Sequence, residues 1–300
     1  MEIHQLRYFL AVARTANFSR AAEQCRVAQP SLSQQIMKLE DELGERLFER
    51  TRRAVSLTPA GERLRAHAER VLDELEAARE SVRDAGHSVR GRVVLGALPT
   101  VAPYYLPRRL QQFATEYPEV EVEVHEDTTE QLVRAVLAKE VDLALVSLPV
   151  ERRGLESEEL FDEPLLIALP ATHALAKKRR LALADLEAEP FILMQEGHCL
   201  AGQALAFCRM EGFAPRVSFR SAQIETVRAF VAAGWGVSVV PEMACAKAAG
   251  AGRGANKEAG AVRYVELAGL RRSIGIIRRA GRVATRATGA LVEFFREAGR

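Results

Sequence analysis

The chain has 300 residues, 48% hydrophobic and 27% charged, with a formal net charge of +2. That length exceeds one ordinary core, so two or three domains are expected, and the balance is that of a globular protein in water. A net charge so near zero excludes a uniformly basic surface, so any nucleic-acid contact must be a local patch. Four cysteines are too few for a disulfide scaffold. Met1-Glu2-Ile3-His4 lacks the basic-then-apolar pattern of a secretory signal, and runs such as Pro164-Leu165-Leu166-Ile167-Ala168-Leu169 are too short to span a bilayer. The expected compartment is the cytoplasm, where thiols start reduced.

In chain order, Leu6, Tyr8, Phe9, Val12 and Ala13 recur at helical spacing and predict a first helix. Asn17 or Ser19 caps a second, Arg20 to Cys25. After the short connection Arg26-Val27-Ala28, Pro30 suits the first turn of a third helix, which runs through Leu32, Ile36, Leu39 and Leu43 to Gly44. Its front carries Gln29, Ser31, Ser33, Gln34, Gln35 and Lys38, donors and acceptors of the reach needed for base edges and phosphates. Two short helices with a tight connection and a polar-fronted second member make a helix-turn-helix. The stretch Leu47 to Thr58 reads as two extended pieces around a basic turn, a wing whose Arg50, Arg52 and Arg53 suit phosphates or a minor groove. A solvated charged face beside a small helical core is the plainer alternative for any one of these helices.

Pro59 opens a long helix. Leu64, Ala68, Val71, Leu75, Ala78 and Val82 alternate spacings of four and three, the stripe of a two-helix seam, with packing on its own domain as the alternative. A dimer would bring two recognition helices to two half-sites. Gly86 to Gly91 reads as a hinge.

From Arg92 onward, strand and helix patterns alternate: strand Val93 to Gly96, helix Leu106 to Tyr117, strand Val120 to Val124, helix Thr129 to Lys139, strand Val141 to Val146. This is the α/β alternation of a parallel sheet flanked by helices. Leu165 to Leu169 opens a second lobe with Phe191 to Met194, a helix near Glu225 to Ala233 and the strand Gly236 to Val240. The chain returns through Arg272 to Ile277 and ends on the helix Ala284 to Ala298. Ligand sites in such sheets lie beyond the strand ends.

Cys199 and Cys208 stand in the run Gly197-His198-Cys199-Leu200-Ala201-Gly202-Gln203-Ala204-Leu205-Ala206-Phe207-Cys208. On a helix their α-carbons are about 13 Å apart, and a disulfide needs them within about 7 Å. They bond only if the segment refolds, which describes a two-state redox switch. The plainer reading makes them buried apolar fillers. Cys25, on the buried side of the helix-turn-helix, and Cys245, near a strand end, read as structural. No His/Cys cluster has metal-ligand spacing, so no metal is expected. Ala248 to Gly260 is Gly/Ala-rich and reads as a loop of unassigned role.

Residues 1 to about 60 resemble the winged helix-turn-helix of LysR-type transcriptional regulators. The resemblance rests on Leu6-Arg7-Tyr8-Phe9, Phe18-Ser19-Arg20-Ala21-Ala22, Gln29-Pro30-Ser31-Leu32-Ser33-Gln34-Gln35-Ile36, Leu39 to Gly44, Leu47-Phe48-Glu49-Arg50 and Leu57-Thr58-Pro59-Ala60-Gly61. The C-terminal part resembles the family's two-lobed effector domain. Within the family, the Cys199 segment resembles that of OxyR-type peroxide sensors, supported by Thr100 to Pro107, Leu160-Phe161-Asp162-Glu163-Pro164-Leu165 and Val231 to Gly236.

The resemblance implies an N-terminal, all-α winged helix-turn-helix over 1–58 and a dimerisation helix with hinge over 59–90. It implies an α/β, two-lobed, periplasmic-binding-protein-like effector domain over 91–300, with lobe I at about 91–162 and 267–300 and lobe II at about 163–266. It implies DNA contacts from Arg20, Gln29, Pro30, Ser31, Ser33, Gln34, Lys38, Arg50, Arg52 and Arg53. Cys199 would be the peroxidatic thiol and Cys208 its resolving partner; Thr100, Thr129, Gly197 and His198 would frame the peroxide. Of the pair Arg271-Arg272, Arg272 is taken to favour the thiolate. Thr100 has the alternative role of helix cap and His198 that of satisfying a backbone carbonyl. The implied partners are an operator duplex, a second copy of the chain in a dimer or tetramer, and RNA polymerase, with no membrane, no cofactor and hydrogen peroxide as effector. One departure stands out: OxyR-type proteins often carry Arg-Asp just after the Cys-Leu, where this chain has Ala201-Gly202. Two competing functions stand beside this one: a LysR-type regulator binding a small organic anion between the lobes, and a thiol peroxidase, which a recognition helix argues against.

Overall fold

The structure is a computed structural model that describes residues 1–50, 55–83, 88–195, 199–210, 212, 214–249 and 261–299. The chain divides into two compact units: Met1–His87 with Gly281–Thr285, and Ser88–Ala280 with Arg286–Arg300.

In the first unit, α1 (Ile3–Thr15), α2 (Phe18–Cys25) and α3 (Gln29–Leu43) precede a ribbon of β1 (Phe48–Arg50) and β2 (Val55–Leu57). The strands pair antiparallel, Phe48 opposite Leu57 and Arg50 opposite Val55. Asn17, not Ser19, is the cap of α2: its side chain accepts from the Ser19 and Arg20 amides at 2.8 and 3.0 Å. This satisfies two amides that no helical carbonyl can reach. Helix α2 therefore begins at Phe18, two residues earlier than the pattern suggested. Pro30 sits in the first turn of α3, and Gly44 closes the helix at φ +68°. Phe9, Ala21, Leu32, Ile36 and Leu39 meet Leu47 and Phe48 in one core. Glu40 joins helix to ribbon by accepting from the Leu47 amide at 2.8 Å.

Helix α4 (Pro59–Arg83) then leaves the ribbon. A Cβ on Gly61 would lie 2.2 Å from the Leu47 carbonyl oxygen, so only glycine allows this crossing. The proposed seam divides along its length. Ala68 is buried against this unit's own core, and Leu64 and Leu72 pack there too. Val71 and Ala78 are exposed and Leu75 is half-buried; the side chain of Val82 lies outside the described residues. The start of the stripe is used within the chain, because the helix must first cover the helix-turn-helix that it leaves.

The second unit is built on a seven-stranded sheet. In chain order its elements are β3 (Arg90–Ala97), α5 (Ala102–Glu116), β4 (Glu119–Glu126), α6 (Thr129–Ala138), β5 (Leu143–Leu148) and β6 (Leu155–Pro170). Next come β7 (Arg180–Leu181), β8 (Pro190–Met194), α7 (Cys199–Met210), β9 (Arg216–Ser221) and α8 (Ile224–Ala232). The unit closes with β10 (Ser238–Pro241), α9 (Glu242–Ala249), β11 (Val262–Arg279) and α10 (Arg286–Gly299). The strand order is β10-β6-β11-β5-β3-β4, with β7 on β11, and β8 and β9 form a separate parallel pair.

The sheet is mixed rather than parallel: β3 pairs parallel with β4 and β5, whereas β11 runs antiparallel to β5 and β6, as β10 does to β6. The expected strand Leu165 to Leu169 is the second half of β6, a 16-residue strand beside the 18-residue β11. The first half of β6 is Leu155-Glu156-Ser157-Glu158-Glu159, too charged to read as a strand. It pairs with β11 from Leu155 opposite Arg279 to Glu159 opposite Gly275. These two strands run through two separate cores. One holds Val93, Leu95, Leu106, Phe113, Leu143, Ile274 and Phe295; the other holds Ile167, Phe191, Leu193, Leu200, Val227, Val239 and Val265. The fold is thus two-lobed, with β6 and β11 crossing between the lobes. Among the described residues no helix is long and apolar enough to cross a membrane.

Candidate functional site

On the first unit, the front of α3 is open to solvent. Gln29, Pro30, Ser31, Gln34 and Lys38 are exposed, as is Arg20 on α2, and Ser33 is half-buried. Gln35, which the sequence also put on this face, instead accepts from Gln5 Nε2 at 3.2 Å and is half-buried. Buried Leu32, Ile36 and Leu39 on the opposite face fix the orientation of this polar row. Of the basic wing, Arg52, Arg53 and the side chain of Arg50 lie outside the described residues.

The second unit gathers polar groups at the C-terminal ends of β3, β4 and β5, where a parallel sheet leaves its crevice. Thr100 follows β3 and Thr129 opens α6 after β4. The Asp127 amide donates to the Ala97 carbonyl at 3.2 Å, tying the two turns together. Thr100 does not cap α5, whose N-cap is Val101 with no side-chain bond. Its hydroxyl oxygen accepts from Arg272 Nη1 at 2.8 Å, and its carbonyl accepts from Nη2 at 3.1 Å. Arginine can only donate, so the bond from Arg272 leaves the Thr100 hydroxyl hydrogen available for another acceptor. The Thr129 hydroxyl is buried without a hydrogen-bond partner among the described residues.

Arg272 is wholly buried, and a buried guanidinium needs a counter-charge. Glu163, directly opposite it across β6 and β11, provides one. Arg272 Nε donates to Glu163 Oε2 at 2.7 Å, with Nη2 at 2.6 Å from the same oxygen. Glu163 Oε1 accepts from the Met243 amide at the start of α9, at 2.7 Å. Burial pushes the Glu163 carboxyl up, while Arg272 and the Met243 amide pull it down; burial prevails. Neighbouring Arg271, the alternative in the pair, is exposed and faces Asp162.

Cys199 and Cys208 lie on one helix, α7, so their α-carbons are about 13 Å apart along its axis. Leu200, Ala201, Ala204 and Cys208 form its buried stripe. Cys208 is a free thiol, raised above its ordinary pKa by burial. Gln203, one turn beyond Cys199, donates from Nε2 to Ser147 Oγ on β5 at 2.7 Å. This bond runs from α7 to the sheet of the other lobe. The two positions after Cys199-Leu200 that depart from the expected motif differ in kind. Ala201 is buried in the core, whereas a Cβ on exposed Gly202 would meet nothing within 4 Å. Gly197, His198 and the side chain of Cys199 lie outside the described residues.

Cys245 donates to the Pro241 carbonyl at 3.4 Å, and burial pushes its thiol up to about 12. Cys25 is half-buried on the helix-turn-helix core and is also raised by burial. Residues 250–260 of the Gly/Ala-rich stretch lie outside the described residues. Among the described residues no group of His, Cys, Asp and Glu could hold a metal ion. Nothing local in the sequence marks Glu163, Gln203 or Ser147; the first two stand inside the motifs named above, but cross-strand register and the reach of α7 are tertiary facts.

A model of the LysR substrate binding domain matches residues 86–300, and one of the bacterial regulatory helix-turn-helix protein, lysR family, matches residues 3–62. The chain belongs to the LysR family. Among LysR relatives, the hydrogen peroxide-inducible genes activator of Dickeya chrysanthemi is 38% identical over 244 residues, 81% of this chain and 80% of that protein. Full-length OxyR C199D from Pseudomonas aeruginosa superposes with a TM-score of 0.71 at 31% identity, covering 99% of this chain and 95% of the other. A cysteine-to-serine mutant of Corynebacterium glutamicum OxyR bound to hydrogen peroxide has a TM-score of 0.64 at 30% identity, covering 99% and 92%.

Proposed function

We propose that this LysR-family protein is a DNA-binding transcriptional regulator switched by hydrogen peroxide through Cys199, with Cys208 as the resolving thiol. The observation that carries this reading is the placement of both cysteines on one continuous helix, so that joining them requires α7 to come apart. The names of its relatives agree. Residues 1–58 are taken as the DNA reader, 59–90 as dimerisation helix and hinge, and 91–300 as the sensor, a division supported by separate cores and two crossover strands. The chain works as a dimer or tetramer on operator DNA in the cytoplasm, in contact with RNA polymerase, and needs no cofactor beyond its own thiols.

In the first step the Cys199 thiolate attacks one peroxide oxygen. A sulfur–oxygen bond forms, the oxygen–oxygen bond breaks, and hydroxide leaves with the electron pair and is protonated to water. In the second step Cys208 gives up its proton and displaces water from the sulfenic acid, forming the disulfide. Two electrons pass from the thiols to the peroxide. Thr100 and Thr129 suit the peroxide as hydroxyl partners, and Arg272, bonded to Thr100, is the cation assigned to favour the thiolate.

The test is intact mass and thiol count for the wild type, Cys199→Ser and Cys208→Ser before and after brief stoichiometric peroxide. Loss of two hydrogens and two thiols, abolished by either substitution, is expected. A wild type that remains folded on DNA with its thiols unchanged overturns the reading.

A further inference from the structure

We infer that Glu163 is a positioning residue for the proposed peroxide chemistry, holding the Arg272 guanidinium against Thr100. The inference rests on the peroxide reading above. It goes further by assigning the rate-setting geometry to a carboxylate that belongs to the crossover strands and not to the pocket lining.

Four contacts fix the guanidinium: Nε and Nη2 to Glu163, Nη2 to the Thr100 carbonyl, and Nη1 to the Thr100 hydroxyl. A guanidinium has five N–H donors. The remaining one is on Nη1, the nitrogen bonded to the Thr100 hydroxyl, and it is matched to no acceptor among the described residues. Glu163 thus occupies the Nε side of the guanidinium and leaves its Nη1 end turned to Thr100. Glu163 cannot turn away, because its second oxygen is held by the Met243 amide at 2.7 Å. Both partners lie on facing positions of β6 and β11, so their spacing is set by strand register rather than by loops. Preorganised donors of this kind act through orientation, and a misplacement of about 1 Å at a reacting centre can cost up to about a hundredfold in rate.

Charge and position predict opposite results, which makes the test decisive. Removing an anion near a thiolate would lower the thiol pKa; releasing the arginine that favours the thiolate would raise it. The readouts are the pH dependence of Cys199 alkylation in the reduced full-length protein and its second-order rate of oxidation by peroxide. Glu163→Gln, which cannot accept from both Arg272 and the Met243 amide, should move the alkylation midpoint up by about one pH unit. It should slow oxidation about tenfold. In an Arg272→Met background the same substitution should do nothing further. Glu163→Asp keeps the charge but withdraws it by one methylene, and should fall between wild type and Glu163→Gln. It keeps the test open should the amide variant fail to fold. A midpoint that falls or stays put, or losses that add in the Arg272→Met background, overturns the positioning role. If Arg272→Met alone leaves the midpoint unchanged, the fault lies in the underlying assignment of Arg272 to the thiolate.

Discussion

Gly202 is the fourth residue of α7, between the two cysteines, and nothing in the packing calls for a glycine there. Glycine inside a helix is less favourable than alanine by about 0.8–1.0 kcal/mol. If the disulfide requires α7 to open, Gly202→Ala stabilises only the reduced state, by about that amount. For a two-electron couple about 1.4 kcal/mol corresponds to 30 mV, so the variant's reduction potential should rise by about 20 mV, making its disulfide easier to reduce. The assay is thiol counting by mass after equilibration in a series of thiol–disulfide buffers, with wild type and variant in the same vessel. The added methyl meets no neighbour, so overpacking cannot mimic the effect. A potential that is unchanged, or that falls, would show that α7 survives oxidation and would refute the reasoning.

The opposite sign is expected at the next residue. Gln203→Met keeps chain length and helix propensity but loses the bond to Ser147, worth about 1 kcal/mol; the same redox buffers should place its potential about 20 mV below wild type. On the DNA side, Lys38→Ala should reduce the slope of log affinity against log salt by about one, if exposed Lys38 neutralises a phosphate. A titration at several salt concentrations that yields an unaltered slope would remove Lys38 from the interface. Cys245 carries a thiol raised from 9.0 to about 12, so its contribution to stability is intact below pH 9 and is lost as pH rises from there toward 12. Urea unfolding at pH 8 and pH 10 should show the wild type losing about 1 kcal/mol more than Cys245→Ala over that interval; parallel losses would mean that the thiol is not desolvated.

Local chemistry was legible in the sequence wherever one short stretch determined it. Pro30, Gly44 and the apolar row Leu32, Ile36 and Leu39 each carry their reason within a few residues, and they fixed the orientation of the polar face of α3. Asn17 and Ser19 are equally good caps by residue type, and it is the extended backbone at Asn17 that brings its side chain to the Ser19 and Arg20 amides. The sheet was harder to read. Leu155 to Glu159 carries no apolar alternation, because its strand character comes from pairing with β11 and not from burial of its own side chains. The candidate site showed the same division. Cys199, Cys208 and Thr100 stood out in motifs, but that Arg272 rather than Arg271 turns inward depends on strand register. Glu163 is recognisable as its partner only once β6 and β11 lie side by side.

The crossover strands also set an order of events during synthesis. Thr100 emerges early and must wait for Arg272, which arrives after every element of the second lobe has been made. Lobe I stays unfinished until β11 slides between β5 and β6, whereas the DNA reader needs nothing beyond the start of α4. On the proposed function, a nascent chain can therefore fold its grip on DNA while still deaf to oxidant, and it acquires hearing only as translation ends.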